Sequence, residues 1–230
     1  MIDPSHSSAA LVSGLQALVG FALGALFSYC YRIYRRPCQQ YWASGFFAMS
    51  LFLIFSAIAI LLVRPGQSPV SLRGLFSLLW QVFAYLHIGA LAIGTLALRA
   101  GGSAQPFLTR SAFAAAIVLG AAAWVACAFG PGDGGDRLVH REGLRCVLTA
   151  VAYLGVATAL LPGQPWRATA AGQRVVAIAF LCFGIGSLIN AAFTSVPGLL
   201  ESLPNGPWLG LIDLAVVCAI GAGLVIWMHD

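Results

Sequence analysis

YRIYRRPCQQYW, residues 31–42, orients the whole chain, because it places a basic turn between two long apolar runs. Arg32, Arg35 and Arg36 fall within five positions, and Pro37 cannot continue the helix that precedes it. Arginine clusters beside apolar runs mark the cytoplasmic side of a membrane protein. The three arginines are therefore predicted to anchor a cytoplasmic loop, and each later crossing of the membrane then has a defined direction.

The composition of the chain indicates an integral membrane protein. Of its 230 residues, 60% are hydrophobic and 8% are charged, which is too little charge to cover the surface of a soluble domain. The formal net charge of +5 comes from twelve basic residues, all of them arginine. In so apolar a chain this excess indicates orientation, and no nucleic-acid partner is expected.

Seven apolar runs each approach the length of about 20 residues that a membrane crossing requires. They occupy residues 8–31, 41–63, 73–98, 109–129, 143–161, 174–195 and 207–228. Glycine and proline separate them, and the sequence GDGGDR at 132–137 is typical of a flexible turn before the fifth run. We predict an all-α fold, with residues 1–230 forming a single domain of seven transmembrane helices.

The distribution of arginine predicts the orientation of these helices. One set of alternate loops holds seven arginines and no acid: Arg32, Arg35, Arg36, Arg99, Arg110, Arg167 and Arg174. The opposite set balances five arginines (Arg64, Arg73, Arg137, Arg141 and Arg145) with five acids (Asp3, Asp133, Asp136, Glu142 and Glu201). The positive-inside rule then places the N-terminus outside and the C-terminus in the cytoplasm.

Polar side chains within apolar runs are costly in a membrane, which makes them candidate functional residues. These are Gln81, His87, Asn190 and Asp213, with Glu142 and Arg145 at the mouth of the fifth run. At a rise of about 1.5 Å per residue, most of them fall in the outer half of the membrane. Aromatic residues share these levels: Trp80, Phe83, Tyr85, Trp124 and Trp208. We predict a ligand pocket lined by Trp80, Gln81, Phe83, Tyr85, His87, Trp124, Asn190 and Asp213.

Some of these residues have structural alternatives. Asp213 is equally suited to an ion pair with Arg145. His87 is the single mid-membrane histidine, so bis-histidine haem ligation is not expected, and neither a cofactor nor a metal is predicted. The sequence contains no catalytic motif, which speaks against an enzyme.

The run YRRPCQQYWASGFFAMSLFLI, residues 34–54, resembles the inner loop and second helix of a group of bacterial seven-helix sensory domains. These domains precede GGDEF diguanylate cyclases and sensor histidine kinases. The stretch WLGLID at 208–213, which leads into a glycine-containing helix, is similar to their last span. The resemblance implies a homodimeric sensor of the bacterial inner membrane, whose cytoplasmic kinase or cyclase output is absent from this sequence. The sequence would then be an excised domain or a relative with a separate partner.

From these features we expect a sensor for a small apolar or amphipathic signal, which binds among the outer halves of the third to seventh helices in contact with membrane lipids. The seventh helix would transmit the signal. Two alternatives stay open. A small transporter would use Asp213, His87 and Asn190 along a substrate or proton path. A structural membrane subunit would consume these polar residues in helix packing.

Overall fold

The computed structural model describes residues 4–62, 72–102, 105–130, 134–161, 170–195 and 208–229. Every regular element within these residues is an α-helix. The seven helices are α1 (Pro4–Tyr34), α2 (Pro37–Leu61), α3 (Leu72–Ala100), α4 (Pro106–Phe129), α5 (Gly134–Leu160), α6 (Ala171–Ser195) and α7 (Trp208–His229). The predicted all-α fold is confirmed.

Six helices, α1 to α6, are long and apolar enough to cross a membrane. In α7, which is 22 residues long, the part with described side chains includes an apolar stretch from Ile212 to Met228. This set of helices indicates a multi-pass membrane protein, because helices of this length and apolar composition match the thickness and the apolar character of a bilayer.

The fifth helix differs most from its prediction. The sequence predicts that it begins near residue 143, after a flexible turn at 132–137, but α5 begins at Gly134. Arg141 and Glu142 are good helix formers and extend the helix ahead of the apolar run, whereas local propensity does not explain its start at Gly134 and Gly135. The turn prediction was therefore wrong from Gly134 onwards. Several loop charges used for the orientation, among them Arg64, Arg167 and Glu201, lie outside the described residues.

Six helices form a closed ring. In the order α1, α2, α3, α5, α6 and α7, each packs against the next, and α7 packs against α1. α4 lies outside this ring against α3, with a smaller contact to α5. Because a ring of six helices cannot bring all its members together at the centre, the space inside it is filled by side chains or left as a cavity.

The turn between α1 and α2 consists of Arg35 and Arg36. Arg35 adopts a φ of 54°, in the left-handed region, and its N–H donates a hydrogen bond of 2.9 Å to the carbonyl of Tyr31. Pro37 occupies the first turn of α2, where a missing N–H is tolerated. The end of the ring that holds Arg35 and Arg36 is called the hinge end here, and the opposite end the far end.

Four buried aromatic side chains fill the centre of the helix ring on its hinge-end side. They are Phe27, Trp42, Phe46 and Phe180, each at most 1% exposed, and they are called the ring layer here. Their neighbouring centroids lie between 5.4 and 6.4 Å apart. Gly94 of α3 makes room for Trp42, because a Cβ at Gly94 would overlap the indole ring. The ring layer closes the bundle between its centre and the hinge end.

Candidate functional site

A cavity of about 280 Å³ lies on the far-end side of the ring layer. All six ring helices contribute to its wall, for example through Gln16, Phe52, Trp80, Arg145, Asn190 and Asp213. The sequence predicts a pocket among the third to seventh helices; instead, α1 and α2 take part and α4 does not. Of the predicted ligand-binding residues, Trp80, His87, Asn190 and Asp213 line this cavity.

Three charged residues of α5 form a compact cluster beside the cavity. Arg145 donates two hydrogen bonds to Glu142 Oε2, at 2.6 Å from Nη2 and 2.9 Å from Nε. Arg141 binds the other oxygen, Oε1, at 3.0 Å from Nη2. Glu142 and Arg145 lie three residues apart and Arg141 and Arg145 four apart, spacings at which helix residues are neighbours. Two guanidinium groups share one carboxylate, so the cluster carries a net charge of +1.

Aromatic rings hold both arginines in place. The guanidinium of Arg141 lies 5.1 Å from the centroid of Trp80, and that of Arg145 lies 5.1 Å from Phe52. Cations are attracted to the faces of such rings, most strongly where water is excluded. Trp80, Phe52 and Arg145 all line the cavity, so the cluster forms part of its wall.

Asp213 stands apart from this cluster. The sequence suggests an ion pair with Arg145, but the structure pairs Arg145 with Glu142, which lies one turn away on the same helix. Within the described residues Asp213 makes neither a hydrogen bond nor an ion pair. Its carboxylate therefore faces the cavity without a protein partner there, although Arg145 lines the same space.

His87 joins three helices at the inner side of the cavity. Its Nδ1 lies 2.8 Å from the carbonyl of Gly45 in α2, and Nε2 lies 2.8 Å from the hydroxyl of Tyr153 in α5. A carbonyl can only accept, so Nδ1 carries the proton. In the neutral imidazole Nε2 then accepts from the Tyr153 hydroxyl, which also lies 3.7 Å from Met49 Sδ. Both ring nitrogens are used in this way, which fits the structural role considered for His87 better than a role as a ligand donor.

Gln81 and Tyr85, predicted pocket residues of α3, lie outside the cavity wall. The side chain of Gln81 is fully buried and its Nε2 lies 3.5 Å from Glu142 Oε1, so it supports the charged cluster from behind. Its own Oε1 is buried and has no hydrogen-bond partner among the described residues. Tyr85 is 4% exposed and belongs to the packed interior.

The aromatic residues Phe83 and Trp124 also lie elsewhere. Phe83 stacks on Phe55 of α2 with centroids 5.5 Å apart. Trp124 belongs to α4, outside the ring, and contacts Phe129 edge-on at 5.9 Å. Both pack locally and neither lines the cavity. The side chain of Trp208 lies outside the described part of the chain.

Several polar wall residues were missed by the sequence prediction. They are Ser13, Gln16, Ser56, Thr149, Tyr153 and Ser187. A helical spacing could have revealed them, because Ser13 and Gln16, or Ser187 and Asn190, lie three residues apart and share a helix face. Small hydroxyl residues are common in apolar helices, which makes this signal weak when each helix is considered alone.

The hinge end contacts the last turns of α7. Arg36 lies over the ring of Trp227 at 5.9 Å, and the hydroxyl of Tyr34 donates to the carbonyl of Met228 at 3.3 Å. A small space of about 120 Å³ separates these elements. Arg32 and Arg35, the other predicted topology anchors, are exposed. One helix, α7, thus reaches from the cavity wall to the hinge.

Comparison of the chain with protein-family models, with curated proteins and with solved structures finds no match. Within the described residues, no group of three or more His, Cys, Asp or Glu side chains could hold a metal ion. The shape and charge of the cavity are therefore the basis for assigning a function.

Proposed function

We propose that the protein is a sensor domain of the bacterial inner membrane that binds a small amphipathic ligand in the far-end cavity. The N-terminus is outside and α7 ends in the cytoplasm, as the arginine distribution between alternate loops favours. Binding shifts α7, which passes the signal to a cytoplasmic kinase or diguanylate cyclase. The domain acts as a homodimer, because such outputs work in pairs.

The position of α7 carries this proposal. Near its start α7 supplies Asp213 and Val217 to the cavity wall. Near its end it contacts Tyr34 and Arg36 at the hinge. A ligand that moves the first part of this helix acts on a rigid element whose other end lies at the opposite face of the bundle.

The interface between α6 and α7 includes a close contact between the two backbones. Gly172 approaches the backbone at Gly223 and Trp227 so closely that a Cβ at Gly172 would overlap it. Such contacts depend on the absence of a side chain and couple the positions of the two helices closely. A ligand shifts an equilibrium only by its difference in affinity for two states, so we expect two packings of α7 that differ by a few kcal/mol.

A transporter is the second candidate, and the polar wall of the cavity favours it. His87, Asn190 and Asp213 all lie there, as a substrate path would require. The ring layer opposes this function, because its buried aromatic rings separate the cavity from the hinge end. Transport would need these rings to part, whereas sensing needs only a shift of α7.

The test is a fusion of residues 1–230 to a diguanylate cyclase, reconstituted in liposomes and screened with small amphipathic metabolites. We expect cyclase activity to respond to at least one compound. Asp213→Asn and the cavity-filling change Ser187→Phe should abolish the response, since both residues line the cavity.

The matched control is Arg110→Gln, which removes a charge from an exposed position of α4, away from the cavity. This variant should respond like the unmodified fusion. A response that survives both cavity variants would contradict the proposal. Uptake of a compound into the liposomes without a change in cyclase activity would instead favour the transporter.

A further inference from the structure

We propose that the ligand of the far-end cavity is a compact zwitterion, with an ammonium group, an anionic oxygen group and a short apolar body. This deepens the proposed function and rests on it for the choice of the cavity as the ligand site. The inference comes from two opposite charges that face one cavity without contacting each other.

Asp213 provides the negative side of the cavity. It makes no hydrogen bond or ion pair with the residues that the structure describes. A carboxylate held inside a helix bundle needs a cationic or hydrogen-bond-donating partner to offset its desolvation. An ammonium group of the ligand supplies both the charge and the donors.

Arg145 provides the positive side. Guanidinium groups have five N–H donors, and Glu142 accepts two hydrogen bonds from Arg145, which leaves donors for a second acceptor. The cluster of Arg141, Glu142 and Arg145 retains a net charge of +1. An anionic oxygen of the ligand fits this side of the cavity.

Charge balance distinguishes a zwitterion from a simple cation or anion. Among the described residues at the cavity, the +1 of the α5 cluster and the −1 of Asp213 sum to zero, and the hydrogen bonds of His87 fit a neutral imidazole. A singly charged ligand would leave a net charge in a space of low dielectric, which is costly. A zwitterion gives each wall charge a partner and keeps the sum at zero.

The remaining wall sets the size and the body of the ligand. Phe52, Trp80, Phe183 and Val217 offer apolar surface, and the volume of about 280 Å³ suits a molecule of amino-acid size. Two sources carry this chemistry: a free amino acid with an apolar side chain, and the headgroup of phosphatidylethanolamine. The experiment separates them.

The full chain is reconstituted in phosphatidylglycerol nanodiscs, and its thermal unfolding is followed as probes are added. The probes are L-phenylalanine and L-leucine, each beside its amine (2-phenylethylamine, 3-methylbutylamine) and its acid (3-phenylpropanoate, 4-methylpentanoate). At least one amino acid should raise the midpoint of unfolding. Its apparent Kd should be at least about tenfold lower than that of its amine or acid, equivalent to about 1.4 kcal/mol.

Variants test the assignment of the charges. Asp213→Asn should reduce the affinity for the amino acid to that for the acid alone, whereas Asp213→Glu should keep part of the preference. Cys218→Ser is the control, because Cys218 lies on the same helix at an exposed position. Unfolding without probe is measured for each variant, so a general loss of stability is recognised as such.

A second arm adds phosphatidylethanolamine to the nanodiscs. If this lipid stabilises the unmodified chain but not Asp213→Asn, the inference holds and the headgroup is the source. The inference is overturned if an amine or an acid binds as tightly as its amino acid, or if neither the amino acids nor the lipid stabilises the chain. A zwitterion that binds without changing the output of the fusion would overturn the sensor function alone. An output controlled through the cavity by a singly charged compound would overturn this inference alone.

Discussion

The two halves of the helix ring are built differently. On the hinge-end side, Phe27, Trp42, Phe46 and Phe180 fill the centre with rings that are at most 1% exposed. On the far-end side, a cavity of about 280 Å³ is lined by apolar side chains together with hydroxyl, amide and charged ones. The same six helices surround both halves, so the difference comes from their side chains alone.

This difference shows how a membrane helix bundle combines rigidity with a site. Lipid tails are as apolar as the side chains they replace, so close packing, rather than transfer from water, stabilises the ring layer. The far-end half combines packed aromatic pairs such as Phe55 and Phe83 with the polar bonds of Glu142 and His87. This half also holds Asp213, which has no hydrogen bond or ion pair among the described residues and is therefore open to a ligand. Four substitutions test this comparison.

The largest effect is expected for Glu142→Gln. This change leaves Arg141 and Arg145 without their shared carboxylate in a largely buried site. Removing one partner of a buried ion pair costs about 3–5 kcal/mol. Because glutamine still accepts a hydrogen bond, we expect a loss of about 3 kcal/mol in the free energy of unfolding in mixed micelles.

A double variant sharpens this prediction. Glu142→Gln combined with Arg145→Gln removes one excess cation, so its loss should be smaller than the sum of the two single losses. Additive losses would mean that the two charges do not interact. A stability of Glu142→Gln equal to that of the unmodified chain would show that the far-end half does not depend on this cluster.

Gly94→Ala tests the packing of the hinge-end half. The added Cβ would overlap the indole of Trp42, which the other rings hold in place. Overpacking of this kind costs about 1–3 kcal/mol, and we expect about 2 kcal/mol by the same unfolding measurement. The matched control is Gly186→Ala in α6, where the new methyl group meets open space. This control should be neutral or stabilising by about 1 kcal/mol, as alanine favours helix. Equal effects of the two substitutions would contradict the packed ring layer.

Tyr153→Phe is expected to have a smaller effect. It removes the hydroxyl that donates to Nε2 of His87, so this nitrogen loses its partner. An unsatisfied buried acceptor costs about 1–3 kcal/mol, and the lower end applies because both residues line a cavity that can hold water. We expect a loss of about 1 kcal/mol. Tyr29→Phe, at an exposed position of α1, should change the stability by less. A loss above that of Gly94→Ala would reverse the comparison between the halves.

Much of the fold is accessible from the sequence. Seven helices were predicted from the lengths of the apolar runs and from the glycine and proline residues between them. This works because a membrane crossing constrains both the length and the composition of a helix. The start of α5 was missed, since its first residues, Gly134, Gly135 and Asp136, are poor helix formers that are typical of a turn. The position of α4 outside the ring was not predicted either, because it depends on packing between helices that are distant in sequence.

Only part of the candidate site could be predicted from the sequence. His87, Asn190 and Asp213 were found because polar groups are rare in apolar runs. The acid that pairs with Arg145 was not identified, because the sequence offers two candidates. Glu142 lies three residues away on the same helix, and Asp213 lies on another helix. The rotation of each helix decides which aromatic residues face inward, and Phe83 and Trp124 turn away from the cavity. The rotation of a helix about its axis depends on how all the helices pack together, so it cannot be predicted from one apolar run.

The smallest effect on stability is expected for Arg36→Gln, compared with Arg32→Gln. Each variant removes one arginine from the same end of the bundle, so any influence on membrane orientation should be the same for both. Arg36 alone of this pair lies over the ring of Trp227, a contact worth about 0.5–1 kcal/mol at an exposed site. We therefore expect Arg36→Gln to destabilise the chain by about 0.5 kcal/mol and to speed amide hydrogen exchange in the last turn of α7.

Arg32→Gln should leave that exchange unchanged. This pair distinguishes a hinge that only orients the chain from one that also restrains α7. If both variants change the hydrogen exchange of α7 equally, the hinge acts through its charge alone, and the hinge end does not restrain α7. If only Arg36→Gln loosens α7, the helix is held at one end by an exposed aromatic contact and at the other by the cavity wall. A ligand that binds in the cavity can then shift α7, because the contact between Arg36 and Trp227 is weak enough to be broken.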